Sequence, residues 1–160
     1  MGKEIERKFL IAPEVDPAAW KAGPPGTLMR QGYLSTVPDR TVRVRTAGER
    51  AMLTIKGKTE GATRREYEYE IPRADANEML DELCERPLIE KTRRVRNVGG
   101  HDWEIDEFHG DNEGLLLAEI ELTDEQESFV RPTWIGEEVT TDPRYYNAQL
   151  VHRPFSRWKE

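Results

Sequence analysis

The chain has 160 residues, the size of one domain, and 34% of them are charged while 36% are hydrophobic. Its net charge of −7 argues against a general nucleic-acid-binding protein, which normally presents a basic face. One cysteine excludes an internal disulfide, and the sequence shows neither an apolar run of membrane-spanning length nor a signal-peptide core. We therefore expect a single domain over residues 1–160, cytoplasmic, with no nucleic-acid or membrane partner.

Period-two alternation of polar and apolar residues predicts strands along most of the chain. Turn signals such as "GPPG" and "NVGG" separate these segments, and the short links favour antiparallel pairing. The eight predicted strands are Lys3–Ile11, Leu28–Thr36, Thr41–Thr46, Ala51–Lys56, Arg64–Ile71, Leu88–Asn97, His101–Phe108 and Leu115–Leu122.

Three segments between or after the strands favour helices. In "DANEMLDEL", Asp75 is the expected N-cap and Glu78 stands three residues further on, as in a capping box. The segment "TDEQESFV" is a shorter candidate. In "DPRYYNAQL", Pro143 suits a first helical position.

Charged residues occupy one whole face of most predicted strands. In "EIERKFLI", for example, Glu4, Glu6 and Lys8 share one face, while Ile5 and Phe9 share the other. A single strand of this kind is most simply explained by a polar face in water. Here, however, the charges are sorted by strand: the first, fifth, seventh and eighth carry carboxylates, and the third, fourth and sixth carry cations.

Eight strands are enough to close a barrel, and closure with the charged faces inward gives a tunnel. Such an interior has to be wet, because isolated charges in a dry core are very costly. Carboxylates bind hard cations such as Mg²⁺ or Mn²⁺, and Arg and Lys bind phosphate oxygens, so the combination favours a metal-bound polyphosphate. The apolar faces must then be covered by helices or by a partner subunit, which allows a homodimer.

The pattern Glu4-x-Glu6-x-Lys8 resembles the E-x-E-x-K signature of the CYTH domain, or triphosphate tunnel metalloenzyme, family. Further blocks resemble the family in the same order, among them "TVRVR", "LTIKG", "RREYEYEI", "WEIDEF", "AEIEL" and "GEEVTTDPRYYN". The compact size is most similar to bacterial members that hydrolyse inorganic triphosphate. The resemblance implies an all-β-dominated α+β fold, an eight-stranded antiparallel closed barrel with a few peripheral helices. In the family, the region matching Gly136–Asn147 closes over the barrel.

The resemblance also implies the site residues. Seven carboxylates are the implied metal ligands: Glu4, Glu6, Glu66, Glu68, Asp106, Glu119 and Glu121. Seven cations are the implied phosphate-binding set: Lys8, Arg43, Arg45, Lys56, Arg64, Lys91 and Arg93. Of these, Lys8, Lys56, Lys91 and Arg93 are the candidates for a catalytic role.

The implied reaction is metal-dependent hydrolysis of tripolyphosphate to pyrophosphate and phosphate, with Mg²⁺ or Mn²⁺ and two ions per site. Phosphoryl transfer needs in-line positioning and charge stabilisation more than covalent chemistry from the protein. Three alternatives stay open. They are an adenylyl cyclase, a thiamine triphosphatase in which Trp20 or Trp134 stacks on the organic head, and a polyphosphate-binding module without turnover.

Overall fold

A computed structural model describes residues 2–159 of the chain. Within that range, ten strands and three α-helices form. The strands are β1 Glu4–Ile11, β2 Thr27–Ser35, β3 Arg40–Ala47, β4 Arg50–Gly57, β5 Thr63–Arg64, β6 Glu66–Glu70, β7 Ile89–Val98, β8 His101–Phe108, β9 Leu116–Leu122 and β10 Ile135–Glu138. The helices are α1 Ala18–Lys21, α2 Arg73–Glu82 and α3 Asn147–His152. No helix in this part of the chain is long and apolar enough to cross a membrane.

All strands belong to one antiparallel sheet with the order β10-β1-β9-β8-β7-β2-β3-β4-β6. The two ends of this path are not joined by a ladder. The short strand β5 lies off the path and pairs with β1, where Glu4 is opposite Arg64. Only Arg65 separates β5 from β6, so residues 63–70 pair with β1 near one end of the path and with β4 near the other. The predicted closed eight-stranded barrel is therefore wrong in its strand count and in its closure.

The difference in strand number has two local causes. The predicted fifth strand, Arg64–Ile71, breaks at Arg65 into β5, which pairs with β1, and β6, which pairs with β4. The four residues of β10 pair with β1 across a bulge between Phe9 and Ile11. This strand has the sequence "IGEE", which is too short to show an alternation, so β10 was not predicted. The other strands begin and end within a residue or so of their predicted bounds.

The helix predictions fare less well. Helix α2 begins at Arg73, after Pro72, and no side chain caps it, so Asp75 lies in its first turn and not at its N-cap. The segment "TDEQESFV" forms turns and bends without a helix. Pro143 opens a short 3-10 turn, Pro143–Tyr145, whose N-cap Asp142 accepts a hydrogen bond from the Arg144 amide, and α3 follows.

The apolar faces of the strands turn outward and are covered by other segments of the chain. On one side, Phe9, Trp103 and Ile120 are fully buried beneath Trp20 of α1 and Trp134. On another side, α2 packs Ala76 and Leu80 against Val44 of β3. Burying these side chains is the main stabilising contribution, at about 1.5–3 kcal/mol for a large apolar residue. The charged faces are thereby left on the concave side.

The concave face is apolar at one end only. Beyond the charged residues of this face lie Ile89 at the start of β7, Leu117 near the start of β9, and Tyr33 of β2. Leu150 and Val151 of α3 pack against this group and are buried with it. The C-terminal helix therefore seals one end of the curved sheet, and the other end carries the charged side chains.

Candidate active site

The curved sheet encloses a cavity of about 450 Å³ lined mostly by charged side chains. All seven predicted phosphate-binding cations line it: Lys8, Arg43, Arg45, Lys56, Arg64, Lys91 and Arg93. Six of the seven predicted metal ligands line it as well: Glu4, Glu6, Glu66, Glu68, Glu119 and Glu121. The alternation of the strands thus brings thirteen of the predicted side chains into one space.

Asp106 is the exception among the predicted metal ligands. It is fully buried and does not line the cavity described for residues 2–159. Its two carboxylate oxygens accept hydrogen bonds from Lys91 Nζ at 2.7 Å and from Arg93 at 2.7 and 2.8 Å. Although burial opposes ionisation, these two cations lower the pKa of Asp106 to about 2. Asp106 is therefore a buried counter-ion of Lys91 and Arg93.

Glu104, which was not among the predicted metal ligands, lines the cavity where Asp106 does not. It lies on β8 directly opposite Glu119 of β9, and oxygens of Glu6, Glu104 and Glu119 all lie within 4.8 Å of one another. We call these three residues the carboxylate group. Alternation had already put Glu104 on the same face as Asp106. The two residues differ in the residue that lies opposite on the neighbouring strand, Arg93 for Asp106 and Glu119 for Glu104, and the sequence does not give this pairing.

Burial and mutual repulsion disfavour the charged forms of Glu6 and Glu104 in the carboxylate group. Burial, followed by the nearby charges of Glu119 and Glu4, raises the pKa of Glu6 well above its usual value. Burial also raises the pKa of Glu104, and the charge of Glu119 adds to the effect. For Glu119 burial acts in the same direction, but Lys8 and a hydrogen bond from Glu6 outweigh it and hold the pKa well below its usual value. Within the carboxylate group, Glu6 is therefore protonated more readily than Glu119, which accepts a hydrogen bond from it.

This arrangement fits a hard divalent cation. Three carboxylates from three strands offer oxygen donors, the ligand type that Mg²⁺ and Mn²⁺ prefer. A bound cation relieves the crowding that raises the pKa of Glu6. Glu6 has no ion-pair partner among residues 2–159, whereas Glu104 pairs with Arg93 at 3.1 Å and Glu119 lies 4.0 Å from Lys8 Nζ.

Of the four remaining carboxylates, two lie beside a lysine. Lys56 Nζ is 3.2 Å from Glu4 and 3.3 Å from Glu66, so one ammonium bridges β1 and β6. Glu68 pairs with Arg43 at 3.5 Å. Glu121 lies opposite Glu6 in the β1–β9 ladder and is exposed at the rim.

A basic wall adjoins the carboxylate group and lines the same cavity, and the two meet where Arg93 pairs with Glu104 at 3.1 Å. Neighbouring positions of β3 supply Arg43 and Arg45, and β7 supplies Lys91 and Arg93. Burial lowers the pKa of Arg45 to about 9, and the charges of Arg43 and Arg93 add to the effect. Burial likewise lowers the pKa of Lys91 to about 7 in spite of Asp106. Positive charges that are crowded in a confined space create a potential that favours an anion.

The C-terminal segment completes the cavity. Pro143, Tyr146 and Asn147 line it, and Lys8 Nζ donates to the Tyr145 carbonyl oxygen at 3.1 Å. The two tryptophans considered for stacking on an organic head do not reach it. Trp20 and Trp134 are 2% and 4% exposed in the outer apolar core. That expectation is wrong, and the aromatic rings that line the cavity are Tyr33 and Tyr146.

A curved antiparallel sheet with carboxylates and cations facing one cavity defines a recognisable class of domain. The family model of the CYTH domain matches residues 2–154, and the chain belongs to that family. A relative from Acetivibrio thermocellus named inorganic triphosphatase is 51% identical over 160 residues, all of both chains. A second protein of that name, from Nitrosomonas europaea, is 40% identical over 152 residues, which are 92% of this chain and 96% of the other.

A solved structure supports the same grouping. A crystal structure described as that of an inorganic triphosphatase is 36% identical to this chain with a TM-score of 0.63. The match covers 94% of this chain and 95% of that chain. The relatives are thus similar to this chain in length, sequence and fold.

Proposed function

We propose that this chain is an inorganic triphosphatase that hydrolyses tripolyphosphate to pyrophosphate and phosphate with the help of a divalent cation. The observation that carries the proposal is the presence of two kinds of site in one cavity. The carboxylate group (Glu6, Glu104 and Glu119) and the basic wall line the same space and adjoin each other. A metal-bound polyphosphate is the ligand that satisfies both. The relatives named inorganic triphosphatase support the choice of substrate.

The carboxylate group is the proposed holder of the metal, Mg²⁺ or Mn²⁺. When bound, the ion neutralises phosphate oxygens and favours a nucleophilic water. We propose Glu4, Glu66, Glu68 and Glu121, which line the same cavity, as the holders of a second ion. Glu4 and Glu66 share the ammonium of Lys56, which would have to turn toward the substrate when that ion binds.

The basic wall is the proposed phosphate-binding surface. Arg43, Arg45 and Arg64 would bind the polyphosphate oxygens, since guanidinium groups match phosphate geometry. Lys91 and Arg93 are held by Asp106 at fixed positions, which suits stabilisation of charge that develops on the leaving pyrophosphate. Lys8 lies between Glu119 and the Tyr145 carbonyl, so it is placed to bridge phosphate and the carboxylate group. The general base stays unassigned.

The sealed end of the cavity favours a small inorganic substrate. We propose that the buried apolar cluster that includes Leu117, Ile89 and Leu150 blocks one end, so that a linear triphosphate enters from the charged end. An adenine or thiamine head group would have to stay outside that opening. The two tryptophans proposed for stacking are buried elsewhere.

Phosphate release from a substrate panel tests the proposal. Tripolyphosphate, ATP, thiamine triphosphate and pyrophosphate are each incubated with Mg²⁺ and with Mn²⁺, and cyclic AMP is measured in the ATP samples. We expect release from tripolyphosphate that a chelator abolishes. Full activity after exhaustive chelation would contradict the metal role. Cyclic AMP formation without tripolyphosphate hydrolysis would favour the cyclase, and tight binding without turnover would favour the binding module.

A further inference from the structure

Gln31 on β2 is a fully buried polar residue that directly joins the basic wall to the C-terminal helix. Its Oε1 accepts a hydrogen bond from Arg45 Nε at 2.8 Å, and its Nε2 donates to Asn147 Oδ1 at 2.9 Å. Asn147 Oδ1 also accepts from Lys91 Nζ at 2.9 Å. Two cations of the basic wall, which stand on different strands, are thus connected through two neutral amides.

Arg45 fixes the orientation of both amides. Arg45 Nε can only donate, so it must meet the oxygen of Gln31. The Gln31 group beside Asn147 must then be the donor Nε2, so it meets the oxygen of Asn147. The same oxygen accepts from Lys91 Nζ. With no free choice of orientation, the amide of Gln31 is a rigid support for one guanidinium nitrogen.

The support leaves the rest of the Arg45 guanidinium available. Within residues 2–159, its one hydrogen bond to protein is the Nε bond to Gln31, and no carboxylate lies within ion-pair distance. Arg93, in contrast, binds Asp106 and Glu104 through Nε and both Nη atoms, and Arg43 binds Thr54 and Glu68. Both Nη groups of Arg45, which lines the cavity, are therefore free to donate to a phosphate.

We infer that Gln31 is a positioning residue for substrate binding, which holds the Nη groups of Arg45 toward the phosphate groups of the polyphosphate. The inference rests on the proposed function for the identity of the anion. The neutrality of the amide matters as much as its shape. A carboxylate at this position would bind the same Nε, but it would neutralise the guanidinium and compete with the substrate for it.

The test is a double-mutant cycle between Gln31 and Arg45. Gln31→Met conserves volume and removes the hydrogen bonds. It is made in the wild-type chain and in an Arg45→Met chain, and tripolyphosphate binding is measured calorimetrically in Ca²⁺. We expect Gln31→Met to weaken binding about tenfold or more in the wild-type chain, because a hydrogen bond to a charged group is lost. In the Arg45→Met background the same change should weaken binding by less than about twofold.

Two further measurements separate positioning from a general loss of structure. Gln31→Glu keeps the acceptor and the volume, so it should fold even if Gln31→Met does not, and its binding defect should also shrink in the Arg45→Met background. In steady-state assays both variants should raise KM more than they lower kcat. The exposed Gln126 provides the matched control, since Gln126→Met should bind as the wild type does.

The inference is overturned if Gln31→Met binds tripolyphosphate as tightly as the wild type. It is also overturned if the Gln31 substitutions weaken binding by the same factor with and without the Arg45 guanidinium, because Gln31 would then act on the structure independently of Arg45. A wild-type chain that binds tripolyphosphate in Ca²⁺ but does not hydrolyse it in Mg²⁺ or Mn²⁺ contradicts the proposed function only. The binding cycle still decides the role of Gln31 in that case.

Discussion

Replacing Glu6 by Gln should have opposite effects on the empty protein and on the metal-bound protein. Glu6 belongs to the carboxylate group, whose oxygens lie within 4.8 Å of one another. The amide conserves the volume of the side chain and can still donate a hydrogen bond to Glu119. The substitution removes one negative charge from the carboxylate group. Without metal this lowers the repulsion between the carboxylates, and with metal it removes a ligand.

The gain in the empty protein follows from the geometry. Two carboxylates about 4–5 Å apart repel each other by about 3–4 kcal/mol at an effective dielectric constant near 20. Protonation of Glu6 and screening by water in the cavity already relieve part of this, so we expect about 1–2 kcal/mol, or roughly 2–8 °C in melting temperature. The folded-state pKa of Glu6 is raised, so its contribution to stability is fully present below the unfolded pKa and is lost as pH rises through the folded value. The advantage of Glu6→Gln should therefore grow with pH.

The assay compares melting temperatures with chelator and with Ca²⁺, and turnover of tripolyphosphate with Mg²⁺. Glu6→Gln should lose most of the metal-dependent rise in melting temperature and at least about a hundredfold in turnover, equivalent to ~2.7 kcal/mol. Arg7→Gln is the matched control on the opposite face of β1. Arg7 binds Glu138 at 2.8 Å and lies over the Phe129 ring, so its loss should cost about 1 kcal/mol of stability and leave turnover intact.

Two results would refute this reasoning. If the Gln variant melts below the wild type in chelator at pH 8, the carboxylate group is not under repulsion in the empty protein. If the variant keeps the full metal response, Glu6 is not a ligand. A larger loss of turnover in Arg7→Gln than in Glu6→Gln would mean that the face assignment of β1 is reversed.

Three other predictions concern the basic wall and the whole cavity. Asp106→Asn should lower stability by about 3–5 kcal/mol, because Lys91 and Arg93 lose their buried counter-ion. Thermal unfolding measures this loss. Glu104→Gln is the control, which should change stability little and weaken metal binding strongly. Tripolyphosphate affinity in Ca²⁺ should fall by up to roughly tenfold per pH unit above about 7, since Lys91 must take up a proton to bind an anion, and titrations of Lys91→Met should lack this component. Tripolyphosphate and Ca²⁺ together should raise the melting temperature by more than the sum of their separate effects, because each satisfies only one side of the cavity; additive shifts would mean separate sites.

The alternation of the strands was the most informative feature of the sequence. It placed the charged faces correctly on the concave side of the sheet, because the face of a strand residue is a local property that the chain itself fixes. The same rule failed where the chain departs from regular strands. Nothing in "RREYEYEI" predicts the break at Arg65 that sends Arg64 to β1 and Glu66 to β4. The support of Arg45 by Gln31 was missed as well, since a neutral amide in a strand carries no signal of its contacts.

The different positions of Asp106 and Glu104 could not be predicted from alternation alone. Both residues lie on the inward face of β8, so alternation cannot tell them apart. Their roles are set by the neighbouring strands: Asp106 is opposite Arg93 of β7, and Glu104 is opposite Glu119 of β9. Asp106, beside cations, is a buried counter-ion, whereas Glu104, beside carboxylates, belongs to the proposed metal site. The chemistry of an inward-facing charge therefore depends on strand register, a long-range property that the folded sheet supplies.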